Sequence, residues 1–136
     1  MSAPCHQGAT PLAEAECIVP KAIKFEDLAV WKKAHQVVLQ VYRATRAFPV
    51  EERFGLALQL RRAAVSVAAN IAEGFKRRTL ADKRHLYNIA QASAEETRYY
   101  ILLSRDLAYL KEDRQLLEDL AEVGSCLLYT SDAADE

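Results

Sequence analysis

The residues whose types and spacing could do chemistry lie mostly between positions 56 and 96. Gln59, Arg62, Ser66, Asn70 and Glu73 recur at i, i+3, i+7, i+11 and i+14. At about 100° per residue this aligns them along one side of a helix. The stripe supports two readings. In the structural one it is a hydrogen-bonded network between helices, with Glu96 as ion partner for Arg62, because buried polar groups must be satisfied. In the functional one it lines a groove or an oligomer lumen for a polar or anionic ligand. The structural reading needs no ligand and also fixes helix register. Just beyond the stripe, Lys76-Arg77-Arg78 and Lys83-Arg84 gather five cations around one turn, enough for strongly salt-dependent contact with phosphates. With Arg61 they are the candidate nucleic-acid-binding residues. Cations at a helix end also complement its dipole, which explains Lys76, Arg77 and Arg78 more easily than Lys83 and Arg84, near a helix start. Tyr87, Tyr99, Tyr100 and Tyr109 suit base stacking, and equally suit core or interface positions.

Signals for catalysis are missing from the chain. It has no GxSxG, no Walker loop and no GxGxxG, so nucleophile elbows and phosphate-cradling loops are unsupported. A di-metal carboxylate site in a bundle needs Glu from two helices and a carboxylate–histidine pair from each of two others. Asp82-Lys-Arg-His85 supplies one such pair, with Asp for Glu. His6 and His35 have no ligand-spaced partner, and His35 is expected as a partly exposed helix residue. Cys5, Cys17 and Cys126 are odd in number and lack CxxC spacing, which implies neither a disulfide framework nor a zinc site. The expectation is a protein that is not an enzyme and takes no metal or cofactor.

These residues need helices to position them. Leu56, Leu60, Ala63, Val67 and Ile71 form a core stripe beside the polar one. The remaining face is small or apolar where a monomer's surface helix would carry charge. Leu58, Val65, Ala69 and Ala72 on that face are the candidate oligomer interface. A first helix is expected over Glu26 to Ala47, with Leu28, Trp31, Ala34, Val38, Val41, Tyr42 and Thr45 at three- and four-residue steps and Phe48-Pro49 ending it. The second opens near Glu51-Glu52 and runs to Gly74 or Arg77. Thr79-Leu-Ala-Asp82 caps a third that reaches Lys111, with Leu86, Ile89, Ala90, Ser93, Thr97, Tyr100, Ser104 and Leu107 as its seam. Leu116, Leu117, Leu120 and Val123 mark a fourth. Short connections between such helices predict an all-α, antiparallel up-down-up-down four-helix bundle.

The expected organisation is a flexible leader over 1–23, the bundle over 24–125, and a tail over 126–136. The leader carries Pro4, Gly8, Pro11 and Pro20 without a sustained period. The tail, Cys126-Leu-Leu-Tyr-Thr-Ser-Asp-Ala-Ala-Asp-Glu136, leaves the helical period and looks like the translation of a sequencing adapter, so it is expected to be non-native and the fourth helix truncated.

With 136 residues, 51% hydrophobic and 27% charged, the chain has an ordinary globular balance. It lacks both an apolar run long enough to span a bilayer and a basic-then-apolar start; a cytoplasmic protein without membrane association is the expectation. The net charge of −1 hides an asymmetry: residues 21–85 hold 14 Lys or Arg against 6 Asp or Glu, and residues 86–136 hold 4 against 11. Either the basic part is a surface for an anionic partner, or the two parts neutralise each other when helices pack antiparallel.

Several of these residues together make a pattern. Phe25-Glu-Asp-Leu28 with Trp31, Phe48-Pro49, Glu52, Gln59-Leu-Arg-Arg62, Ser66, Asn70-Ile-Ala-Glu-Gly74, Arg77 and Ala90-x-x-Ser93-x-x-Glu96 closely resemble the four-helix-bundle family encoded in intervening sequences of bacterial 23S ribosomal RNA genes. The resemblance spans residues 24 to 124. It implies an antiparallel bundle that assembles as a ring-shaped homopentamer. It also implies kinship with accessory variability determinant proteins of diversity-generating retroelements, which are basic, bind nucleic acid and associate with a reverse transcriptase. The near-neutral charge of this chain departs from those accessory proteins, and its ending departs from the family. The leading expectation is a non-enzymatic homo-oligomer that binds RNA or single-stranded DNA near the turn between helices two and three. The alternative is a scaffold that binds a protein partner and no nucleic acid.

Overall fold

A computed structural model describes residues 22–134 and contains helices α1 (Ala29–Thr45), α2 (Leu56–Lys76), α3 (Leu80–Asp106) and α4 (Arg114–Ala134). The expectations for Cys5, His6, Cys17 and residues 1–21 of the leader lie outside the described residues. α1 packs on α2 and α4, and α3 packs on the same two, with no pairing across the diagonals. Short connections reverse the chain each time, so the bundle is antiparallel and up-down-up-down, as expected. The core is built from Val37 and Val41 of α1, Leu60, Val67 and Ile71 of α2, Ile101 of α3, and Val123 and Leu127 of α4. The stripe Leu56, Leu60, Ala63, Val67 and Ile71 is buried throughout.

Two helix starts lie later than the charge pattern suggests. Asp27 does not open α1; its carboxylate accepts from the Ile23 and Lys24 amides at 3.1 and 3.2 Å. Those bonds hold its pKa below the usual carboxylate value and close a separate 3-10 turn over Phe25–Asp27. Leu28 is then extended, and the α-helix begins at Ala29. Glu52 behaves similarly. It ends a 3-10 turn over Val50–Glu52, and its Oε1 accepts from the Leu56 amide at 2.9 Å, capping α2 from outside. Acidic residues favour a helix N-terminus from the preceding turn as well as from within it, which the pattern alone does not distinguish. Thr79 caps α3 as read, its side chain accepting from the Asp82 amide at 3.1 Å.

α3 ends at Asp106 rather than Lys111, without a glycine or proline to stop it. Ala108 takes the left-handed conformation, with φ of 64°, and the Tyr109 amide reaches back to the Ser104 carbonyl at 2.9 Å. This is a Schellman-type ending with alanine where glycine is usual. What holds it is tertiary: the Tyr109 ring lies 5.4 Å from that of Phe48, and its hydroxyl donates to Glu52 Oε2 at 3.1 Å.

The helical pattern does not stop at Cys126, where the sequence was expected to leave it. α4 continues through Cys126 to Ala134, and Leu127 is fully buried, extending the series Leu116, Leu120 and Val123. Spacings of four, three and four residues from Leu116 to Leu127 keep one face toward the core. On structural grounds the bundle therefore extends past residue 125.

The most extensive pairing is α2 with α3, and small residues allow it. A Cβ built on Gly74 would lie 2.7 Å from Tyr87 Cε1 and 3.0 Å from Cδ1, so the ring occupies space that only glycine leaves open. The two unusual backbone positions have opposite expected effects in urea unfolding. Gly74→Ala should lower stability by about 1–3 kcal/mol through overpacking. Ala108→Gly should raise it by about 0.5–1 kcal/mol, since relief of left-handed strain exceeds the added chain entropy.

Candidate nucleic-acid interface

The polar stripe divides. Its centre closes onto α3: the Ser66 and Ser93 hydroxyls lie 2.8 Å apart, and Asn70 Nδ2 donates to the Ser66 carbonyl at 2.8 Å and to its hydroxyl at 3.0 Å. Gln59, Arg62 and Glu73 stay exposed. Glu96 accepts from the Tyr100 hydroxyl at 2.9 Å, a bond that raises the Tyr100 pKa. Among the described residues Arg62 and Glu96 form no ion pair. Both sit in water, where pairing gains little. The network is thus Ser66, Asn70 and Ser93 rather than the whole stripe.

The five cations of the turn also divide. Lys76, Arg77 and Arg78 are exposed and have no carboxylate within ion-pair distance among the described residues. Lys83 is engaged. Its Nζ donates to the Phe75 carbonyl at 2.8 Å and the Gly74 carbonyl at 3.3 Å, and lies 5.6 Å from the centre of the Phe75 ring. A cation at the start of α3 therefore satisfies carbonyls at the end of α2, which answers why it stands near a helix N-terminus. Arg84 is half-buried. The phenols at hand are not all available for stacking: Tyr87 is buried, which raises its pKa, whereas Tyr99 is 59% exposed.

Arg61 is not part of this cluster. Sixteen residues separate it from Arg77, about 24 Å along a helix axis. Its Nε donates to the buried Thr45 hydroxyl at 2.7 Å, and its guanidinium lies 4.6 Å from the centre of the Tyr42 ring, tying α2 to α1. The proposed interface residues lie on the outer face of α2, where Val65 and Ala69 are exposed and Leu58 and Ala72 half-buried. Leu58 and Val65 line a groove of about 460 Å³ with Tyr42, Arg61, Arg62 and Ser66.

Sequence reading missed one polar cluster altogether. Asp119 is buried and accepts from Gln40 at 2.8 Å and Gln115 at 2.9 Å, with Lys33 at 3.7 Å. Lys33 also meets Glu122 at 3.5 Å. The Gln115–Asp119 spacing of four was visible, but their α1 partners are some eighty positions away. No group of three or more His, Cys, Asp or Glu that could hold a metal occurs among the described residues. His35 stacks on Trp31 at 4.9 Å between ring centres, and Asp82 and His85 are both exposed. Among those residues, no helix is long and apolar enough to cross a membrane.

The geometry defines a class: a small antiparallel helical bundle whose distinctive surface is a stripe of small residues on α2 and the cationic turn beyond it. Its family can be named. The model for the 23S rRNA-intervening sequence protein family matches residues 26–128, and the chain belongs to that family. It is also similar in fold to a crystal structure of a protein of unknown function from the S23 ribosomal protein family of Bacteroides thetaiotaomicron VPI-5482. That similarity has a TM-score of 0.69 at 24% identity and covers 74% of this chain and 96% of that one. No curated protein matches the chain.

The division of the cations is open to measurement. Lys83→Ala should lower stability by about 1 kcal/mol, because the terminal carbonyls of α2 lose their donor. Lys76→Ala should leave the thermal midpoint within about a degree, as expected for an exposed side chain without a partner.

Proposed function

We propose that this chain is a non-enzymatic bundle that self-associates through the outer face of α2 and binds RNA or single-stranded DNA through Lys76, Arg77 and Arg78. The observation that carries the reading is that these adjacent cations remain exposed and, among the described residues, without carboxylate partners, although the chain has acid to spare in its second half. Intramolecular neutralisation would have paired them. Among the described residues, Lys33 joins the basic part to Asp119 and Glu122, far along the chain from the turn. The family description, with its ribosomal RNA setting, agrees with an RNA ligand. The outer face of α2 favours self-association, because Leu58, Val65, Ala69 and Ala72 recur at heptad-like steps, the pattern of a helix seam. A ring of copies, a pentamer in this reading, would repeat the cationic turn and multiply its contacts with one strand.

Fluorescence anisotropy with labelled single strands tests the first half. The three phosphate contacts of the turn should contribute about −2 to the slope of log K against log salt, and Lys76→Glu/Arg77→Glu/Arg78→Glu should remove that contribution and sharply weaken binding at moderate salt. Absence of binding at low salt, with a protein partner co-purifying instead, would favour the scaffold reading. Light scattering tests the second half: the parent should exceed the monomer mass, and Val65→Glu/Ala69→Glu should return it to monomer.

A further inference from the structure

The opposite end of α2 carries a second cationic feature that the turn does not explain. At the corner between α1 and α2, Arg46, Arg53 and Arg61 line a groove of about 310 Å³, with Thr45, Phe48 and Val50 among its other walls. Arg61 is the fixed member. Its Nε is committed to the Thr45 hydroxyl at 2.7 Å and its plane is held near Tyr42, while its terminal nitrogens have no protein partner among the described residues. A half-buried guanidinium tethered at Nε and unpaired at both ends of its fork is already oriented for a bidentate anion, so little freedom is lost on binding.

The neighbouring carboxylates do not neutralise it. Glu52 spends Oε1 on the Leu56 amide and Oε2 on the Tyr109 hydroxyl. Glu51 lies within ion-pair distance of none of the three arginines among the described residues. Beside this unbalanced charge stands Phe54, 79% exposed, with the Arg53 guanidinium 5.3 Å from its ring centre. An aromatic ring left this open beside Arg53, itself a wall of the groove, is poor surface for a free monomer and well suited to a ligand with both a planar apolar part and an anionic part. Single-stranded nucleic acid has both, as stacking bases on a phosphodiester chain.

We infer that the α1–α2 corner is a second strand-binding groove, in which Arg46, Arg53 and Arg61 hold phosphodiesters and Phe54 stacks on a base. The inference rests on the nucleic-acid reading above and adds a base-contacting site to the charge-only contact at the turn. It also gives Arg61 a ligand role separate from Arg77, about 24 Å away.

The test uses the full chain with labelled twelve-nucleotide strands of uridine, of thymidine, and of abasic sites with equal charge. Arg46→Gln/Arg53→Gln should weaken all three and make the salt slope shallower by about 1.4, the loss of two single-strand phosphate contacts. Phe54→Ala should reduce affinity for the base-bearing strands about 5-fold or more while leaving the abasic strand unchanged. The tighter of the uridine and thymidine strands identifies RNA or DNA as the source. If both corner variants bind like the parent while the Lys76/Arg77/Arg78 variant loses binding, the corner is not a site and the turn reading survives. If the parent binds none of the strands, both readings fall together.

Discussion

The structure depends on how closely α2 can approach α3. Leucines and valines alone would hold the two helices farther apart. Here the Tyr87 ring packs against Gly74, and the Ser66 and Ser93 hydroxyls come within 2.8 Å. Close approach is favourable only when the polar groups it buries are satisfied. Asn70 and Ser66 meet that condition on α2, and Thr97 does so within α3 by donating to the Ser93 carbonyl at 2.7 Å. A slide of one turn would separate the serines and bring the Tyr87 ring against a side chain instead of Gly74. Packing and hydrogen bonding therefore select the same register.

From that register the turn follows. Because α2 and α3 are set closely and joined by a short connection, Lys83 in the first turn of α3 comes over the last carbonyls of α2. Its charge is consumed by the backbone, and the charges of Lys76, Arg77 and Arg78 are not. The distribution of acid reinforces this. The buried carboxylate of Asp119 takes Gln40, Gln115 and Lys33 as partners, so one of the acidic helix's strongest interactions is with α1. What the composition presents as near-neutrality is, on the surface, a separation of charge.

Much of the fold was legible because helical periodicity repeats. Leu56, Leu60, Val67 and Ile71 announce a core stripe many times over, and every one is buried. The ends were less legible, since each is decided by a single contact. The start of α1 depends on Asp27 choosing the Ile23 and Lys24 amides, and the end of α3 depends on Tyr109 meeting Phe48 and Glu52 across the bundle. The fourth helix shows a different difficulty. Cys126 and Tyr129 looked like a loss of pattern, yet one residue, Leu127, keeps the core face going. Among the candidate site residues, proximity in sequence grouped Lys76 to Arg84 around one turn but did not set Lys83 apart, because its engagement depends on the carbonyls that end α2. Arg61 was selected for its charge; its tether to Thr45 joins positions 16 apart and has no local signature.

Arg61 and Lys83 give a way to separate structural cations from those left for ligands in a bundle of this kind. A basic side chain has a limited number of donors, and each one committed to the protein is withdrawn from a ligand. Lys83 points its single nitrogen at two carbonyls, which leaves a compact charge largely screened by the helix end it serves. Arg61 commits only Nε, and the commitment improves the aim of the rest of the guanidinium. The same kind of tether thus has opposite consequences for the two chemistries: it occupies a lysine and pre-organises an arginine. On this account the charge at both ends of α2 is best counted in uncommitted donors, and by that count Lys76 and the arginines outweigh Lys83.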